Sequence, residues 1–209
     1  MRHVRHIFRF SPNAKMLMHC LLNTRVAACL VAAVAGIIFG PLVLYGQQQK
    51  PTEYQVKATY LYNFGRFVKW PGTVHTGKGA TFSVCVLGQD PFGSILDSTL
   101  AGEALDGKPV VLRRISKPQE GVDCRILFIS SAEEKHLKEI LTALDESGVL
   151  TVSDMPDFTR RGGMIQFVLD GDRVRFEINL TSAESAKLVL SSELLKVAAS
   201  VKRNGRAGG

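Results

Sequence analysis

The chain has 209 residues, 45% of them hydrophobic, with 26 Lys+Arg against 19 Asp+Glu and a formal net charge of +7. Six of those cations lie in residues 1–50, which hold no acid, so the rest of the chain carries twenty cations against nineteen acids and is close to neutral. The basic isoelectric point therefore belongs to the N-terminal segment, and a nucleic-acid-binding surface is excluded as its explanation.

Residues 26–46, VAACLVAAVAGIIFGPLVLYG, run without a charge for about the length that crosses a bilayer. The cations on their N-terminal side place the N-terminus in the cytoplasm and export the chain beyond Gln47. The segment reads either as a signal peptide or as a signal anchor. A cut after Gly46 would set Leu44 at a position where a small residue is wanted, and Pro41 interrupts the run. VAAC at 26–29 has the order of a lipobox, but Arg25 precedes it and the apolar run comes after it, the reverse of a lipoprotein signal. The expected organisation is a leader over 1–46, one domain over 47–201 and a frayed tail over 202–209.

The domain opens with PTEYQVKATYLYNFGRFVKW, residues 51–70. Thr52 and Gln55 have capping-box spacing. Tyr54, Ala58, Leu61, Gly65 and Val68 recur at helical steps, with Val56, Tyr60, Phe64 and Phe67 as a second stripe. So wide an apolar arc predicts a helix buried on two sides, ended by Pro71-Gly72. TFSVCVLG (81–88) predicts a strand, QDPFGSILDSTL (89–100) a turn and short helix, KPVVLRRI (108–115) a second strand and CRILFIS (124–130) a third, central one. Residues 131–147 predict a helix capped by Ser131 and Glu134, and VLTVSD (149–154) a fourth strand. Residues 163–180 predict a hairpin with Asp170-Gly171 in a two-residue type I′ turn. A last helical region, capped by Thr181 and Glu184, comes next. The fold expected is a single α/β domain: a mostly parallel sheet of about six strands, flanked by helices, with an antiparallel hairpin in its C-terminal half.

Of the four cysteines, Cys20 and Cys29 fall in the leader, so Cys85 and Cys124 alone reach the exported part. They form a disulfide or remain two buried thiols; if bonded they close a loop of about 40 residues. Two cysteines without histidines at ligand spacing cannot fill a zinc shell, so no metal is expected. GQDPFGS (88–94) succeeds a strand and opens a helix, yet lacks the lysine of a phosphate-binding loop. No dinucleotide or nucleophile-elbow motif occurs. Beyond the leader the only histidines are His75 and His136, neither in a setting suited to a catalytic triad. Ligands of α/β sheets bind at the carboxyl ends of parallel strands. The candidate ligand-binding residues are therefore Gly88, Ser153 with its neighbour Asp154, and Gly162-Gly163, with Asn179 at the end of RFEINL. Asn179 also suits a helix cap. Cationic and aromatic residues at the end of the first helix, Arg66, Phe67 and Trp70, are the candidate partner-binding residues.

YQVKATYLYNFGRFVKWP, FSVCVLGQDPFG, CRILFIS, VLTVSDMPDFTRRGGMIQFVLDGDRVRFEINL and LSSELLKVA occur in the order typical of the YfiR family, and the chain resembles that family over residues 53–198. The resemblance implies a periplasmic, non-enzymatic α/β protein without cofactor. It would bind the periplasmic sensor domain of a membrane-bound diguanylate cyclase, repress it, and so lower cyclic-di-GMP and biofilm formation. It implies that Cys85 and Cys124 match a family pair able to form a disulfide. Members in other settings accompany sensor kinases or receptors, which leaves a small-molecule-binding sensor as the alternative. A homodimer stays open. If the leader is uncleaved, residues 26–46 tether the domain to the inner membrane.

Overall fold

The computed structural model describes residues 50–70 and 81–203. The leader over 1–46, Pro71-Gly72, His75 and the tail from residue 204 lie outside the described residues. Among the described residues no helix is long and apolar enough to cross a membrane.

Helix α1 (Glu53–Phe67) starts at the capping box expected from its sequence: Thr52 Oγ accepts the Gln55 N–H, and the Gln55 side chain accepts the Thr52 N–H. Ala58, Leu61, Phe64 and Gly65 are buried along it. The chain turns extended at Val68 and forms β1 (Val68–Lys69), which pairs antiparallel with β9 (Val189–Leu190) in a separate two-stranded ribbon.

The main sheet has eight strands in the order β10-β8-β7-β6-β5-β2-β4-β3. These are β2 (Phe82–Leu87), β3 (Ala104–Leu105), β4 (Lys108–Ile115), β5 (Ile126–Ile129), β6 (Leu150–Ser153), β7 (Ile165–Asp170), β8 (Arg173–Asn179) and β10 (Ser200–Lys202). Strands β4, β2, β5, β6 and β7 run parallel, whereas β3, β8 and β10 run against them. Helices α2 (Ser94–Leu100), α3 (Leu137–Ala143), α4 (Leu180–Ser185) and α5 (Ser192–Val197) complete the fold.

The strands are apolar on both faces because both faces are covered. Val84, Val86, Ile126 and Phe128 point into the larger core with α1, where Tyr60 and Phe64 pack on Phe167 and Phe176. Cys85, Leu87, Leu127 and Ile129 point the other way, into a second core under α3 with Met155 and Phe158.

Several local expectations are corrected. The sheet has eight strands rather than about six, because two short edge pieces, β3 and β10, carry no hydrophobic pattern of their own. Lys202, expected in the frayed tail, ends β10, where its Nζ lies 2.7 Å from Glu177 Oε2. The hairpin turn sits one residue later than expected. Asp170 pairs with Arg173, leaving Gly171-Asp172 as the loop. Only Gly171 has positive φ there, the pattern of a type II′ rather than a type I′ turn. Ser130, not Ser131, caps the segment before α3, and its first turns (Ser131–His136) are a 3-10 helix. The last helical region is broken in two by β9, with Lys187 at φ 61° where the first half ends.

Candidate functional site

The end of α1 divides the three candidate partner-binding residues between two faces. Alternation through β1 buries Val68 and turns Lys69 out. Trp70 goes inward like Val68: its ring meets Phe82 edge-on at 5.3 Å, and the Arg125 guanidinium stands 5.9 Å from its centroid. Burial pushes the Arg125 pKa below its usual value. The Trp70 indole N–H has no acceptor among the described residues. Phe67 is 38% exposed, Arg66 lies beside it on the surface, and Val189, 63% exposed, stands across from Lys69. The Phe67 carbonyl accepts the Ser191 N–H at 2.8 Å, which fixes the helix end to the C-terminal segment.

At the carboxyl ends of the parallel strands, Gly88, Ser130 and Ser153 come from β2, β5 and β6. Gly88 (φ 84°) donates its N–H to the Ile115 carbonyl, and a β-carbon there would run into Glu133. Ser153 is fully buried; its hydroxyl donates to the Ile129 carbonyl at 2.7 Å and accepts the Met155 N–H. Next to it lies a charged cluster that sequence reasoning does not assemble. Lys57 of α1, 4% exposed, reaches Asp154 Oδ2 at 2.7 Å and Glu53 Oε1 at 2.5 Å. The Tyr54 hydroxyl donates to the same Asp154 oxygen at 3.3 Å. Burial pulls the Lys57 pKa down, hydrogen bonds to Asp154 and Glu53 push it up, and the balance stands above the ordinary lysine value. Burial, with the Asp154 charge second, raises the Tyr54 hydroxyl. The signal in the sequence is a lysine on the apolar arc of a helix, four residues after a glutamate.

Gly163 and Asn179 bond neighbouring carbonyls: the Gly163 N–H donates to the Phe158 carbonyl at 2.9 Å, and Asn179 to that of Thr159. Asn179 Nδ2 donates to the Thr159 carbonyl at 2.8 Å, and its Oδ1 accepts the Ser182 N–H and so caps α4. A β-carbon on Gly163 would enter the Phe158 ring. Gly162 (φ 104°) lines a groove of about 360 Å³ between α3 and α4, with Lys138, Arg161, Thr151 and Met164. Gly88, Ser153, Gly163 and Asn179 are not on that groove's wall. A wider groove of about 750 Å³ runs between Val56 and Tyr60 of α1 and the β7–β8 hairpin.

Cys85 in β2 and Cys124 before β5 are bonded, their Cα atoms 6.0 Å apart and both residues fully buried in the second core. This settles the pairing over two free thiols. Among the described residues no group of His, Cys, Asp and Glu could hold a metal. His136 is exposed, with Glu133 3.5 Å away.

Among solved structures, the chain is similar to a conserved domain protein from Vibrio cholerae O1 biovar El Tor, at TM-score 0.51 and 12% identity. That alignment covers 74% of this chain and 62% of the other, and it shows the fold alone. An ABC domain from Streptococcus pneumoniae, crystallised with L-Trp, aligns at TM-score 0.42 and 11% identity over 58% of this chain and 55% of its own. The YfiR/HmsC-like family model matches residues 54–199, from the first turn of α1 to the residue before β10, and takes in every element from the aromatic helix to the hairpin and its cap. The chain belongs to the YfiR/HmsC-like family.

Proposed function

We propose that this protein is a non-enzymatic regulator of the periplasm that binds the extracytoplasmic domain of a membrane signalling protein. In its sharpest form it represses a diguanylate cyclase and lowers cyclic-di-GMP. The observation that carries the reading is the family match over residues 54–199. The buried Cys85–Cys124 bond agrees with an oxidising compartment. Phe67 and Arg66, at the end of a helix pinned to the C-terminal segment, form an aromatic and cationic contact surface of the kind that dominates interface energies.

The test is a pull-down from membranes with the chain tagged at its C-terminus, analysed by mass spectrometry, for the unaltered protein and for Phe67→Ala with Arg66→Glu. Recovery of a transmembrane cyclase or sensor kinase by the unaltered chain alone supports the reading. Equal recovery by both chains removes Phe67 and Arg66 from it, and recovery of no membrane signalling protein removes the reading itself.

The groove at Gly162 favours a second reading, a small-molecule-binding sensor that works with a kinase or receptor. Gly88, Ser153, Gly163 and Asn179 would then shape the sheet edge around the ligand rather than line the groove. A thermal-shift screen with amino acids, nucleotides and small anions tests it: a ligand present at 100 times its dissociation constant adds about 2.7 kcal/mol to stability. No shift with any of them would discard this reading.

A further inference from the structure

We infer that the outer edge of β4 is a docking site for an extended, acidic segment of a partner protein, which adds to the sheet as a further strand. β4 is eight residues long, but β3 pairs only with Lys108 and Pro109, its first two. Two hydrogen bonds fix the direction of the remaining backbone groups. The Val110 N–H donates outward to the Glu103 carbonyl at 2.9 Å, beside β3. The Ile115 carbonyl accepts the Gly88 N–H at 3.2 Å, on the β2 side. Backbone groups alternate along a strand, so the N–H and C=O of Leu112 and Arg114 face outward. Among the described residues neither N–H has an acceptor. Such a row is a template for strand addition.

The edge is held in place. Leu112 packs on the larger core, and Arg114 is clamped by Asp90 at 2.7 Å, by Asp97 at 2.6 Å and by the Gly93 carbonyl at 3.1 Å. A partner strand thus meets an already ordered template, which lowers the ordering cost of binding. The charge selects the occupant. Lys108, Arg113 and Lys117 lie on or just past the strand, which has no acid of its own, and among the described residues none of the three forms an ion pair. Two copies of β4 set side by side would bring like charges together, whereas an acidic strand satisfies both the backbone and the cations. The inference does not depend on which protein the end of α1 contacts.

The experiment is residue-resolved hydrogen exchange on the full chain as purified from expressing cells. The probes are two synthetic nonapeptides, the acidic EVTVEVTVE and its lysine counterpart KVTVKVTVK, both capped. In the free protein the Leu112 and Arg114 amides should exchange fast while those of Val111 and Arg113, bonded to β2, are slow. The acidic peptide should slow Leu112 and Arg114 selectively, and the lysine peptide should not. Arg113→Glu, which breaks no ion pair among the described residues, should weaken the acidic peptide about tenfold or more, with a thermal melt checking that the variant is folded. Leu112→Pro, which removes one outward N–H, should weaken it as well. Slow exchange at Leu112 and Arg114 in the free protein would overturn the inference. So would failure of the acidic peptide to bind, equal binding of both peptides, or protection that rises with protein concentration alone, the mark of a second copy on this edge.

Discussion

Replacing both Cys85 and Cys124 with alanine should destabilise the domain by about 4 kcal/mol. The bond links residues 39 apart in sequence, and the chain-entropy relation gives about that value for a loop of this length at room temperature. Both residues are fully buried, so loss of the sulfurs from the second core adds to the effect. With a urea dependence of about 2 kcal/mol per molar, the unfolding midpoint should fall by about 2 M. Trp70 is the only tryptophan, packs on Phe82 and faces Arg125, the residue after Cys124, so its fluorescence reports on this region. Far-UV circular dichroism should give the same midpoint. A shift below about 0.5 M would refute the reasoning, since it would mean that the bond does not restrict the unfolded chain. The burial also fixes how the bond is reduced. Thiolate cannot reach either sulfur in the closed fold, so reduction should run through opening, far slower than that of an exposed disulfide at the same thiol concentration and faster as denaturant is added below the unfolding midpoint. A rate close to that of an exposed disulfide and indifferent to denaturant would mark an accessible, regulatory bond.

Lys57→Met should cost about 2–3 kcal/mol, because it leaves Asp154 without its closest cation at the sheet edge, and chemical denaturation reads it. The folded Lys57 pKa is raised, so its contribution is complete below the ordinary lysine value of about 10.4 and disappears as pH rises through the folded value. The melting temperature of the unaltered protein should therefore fall in that alkaline range more steeply than that of Lys57→Met. At the acid end, the Glu177 carboxyl is lowered, first by its hydrogen bond to Lys202. Its contribution is present above the ordinary glutamate value of about 4.3 and is lost as pH falls through the lowered one, and Lys202→Met should flatten that part of the stability curve. Gly163→Ala should cost about 1–3 kcal/mol, since the added methyl enters the Phe158 ring, and thermal melts against the unaltered protein read it.

Much of the architecture was legible because it rests on long periodic segments. The stripe through Ala58, Leu61 and Gly65, the four apolar strand runs and the two strands of the hairpin all lie where the pattern put them, whereas Val68, expected on the helix, is the first residue of β1. The features that failed were short or depended on distant partners. β1 and β9 are two residues each and exist only because the end of α1 meets the segment after α4. β10 is held by its register with β8 and by the Lys202–Glu177 pair, neither of which leaves a hydrophobic signature. The hairpin turn shifted by one residue because Gly171 takes the first loop position, where its positive φ is needed, rather than the second. At the candidate site, Asn179 was readable as a helix cap from residue type, but the spacing of Thr181 and Glu184 put the cap of the last helical region two residues past the observed one. The place of the cysteines beyond the leader left both a disulfide and two buried thiols open. The split between Phe67 and Trp70 was not legible, because it depends on the change from helical to extended backbone at Val68. The Lys57–Asp154 pair joins residues 97 apart and could be assembled only once α1 was laid across the strand ends.

The central claim is regulation of a membrane signalling enzyme, and cellular cyclic-di-GMP tests it most directly. It should be measured by mass spectrometry in cells of the source strain lacking the protein, producing it, and producing the form with Phe67→Ala and Arg66→Glu. The account predicts that the nucleotide rises in the deletion, returns to its original level with the unaltered chain, and stays high with the altered one. The same level in all three would contradict repression of a diguanylate cyclase.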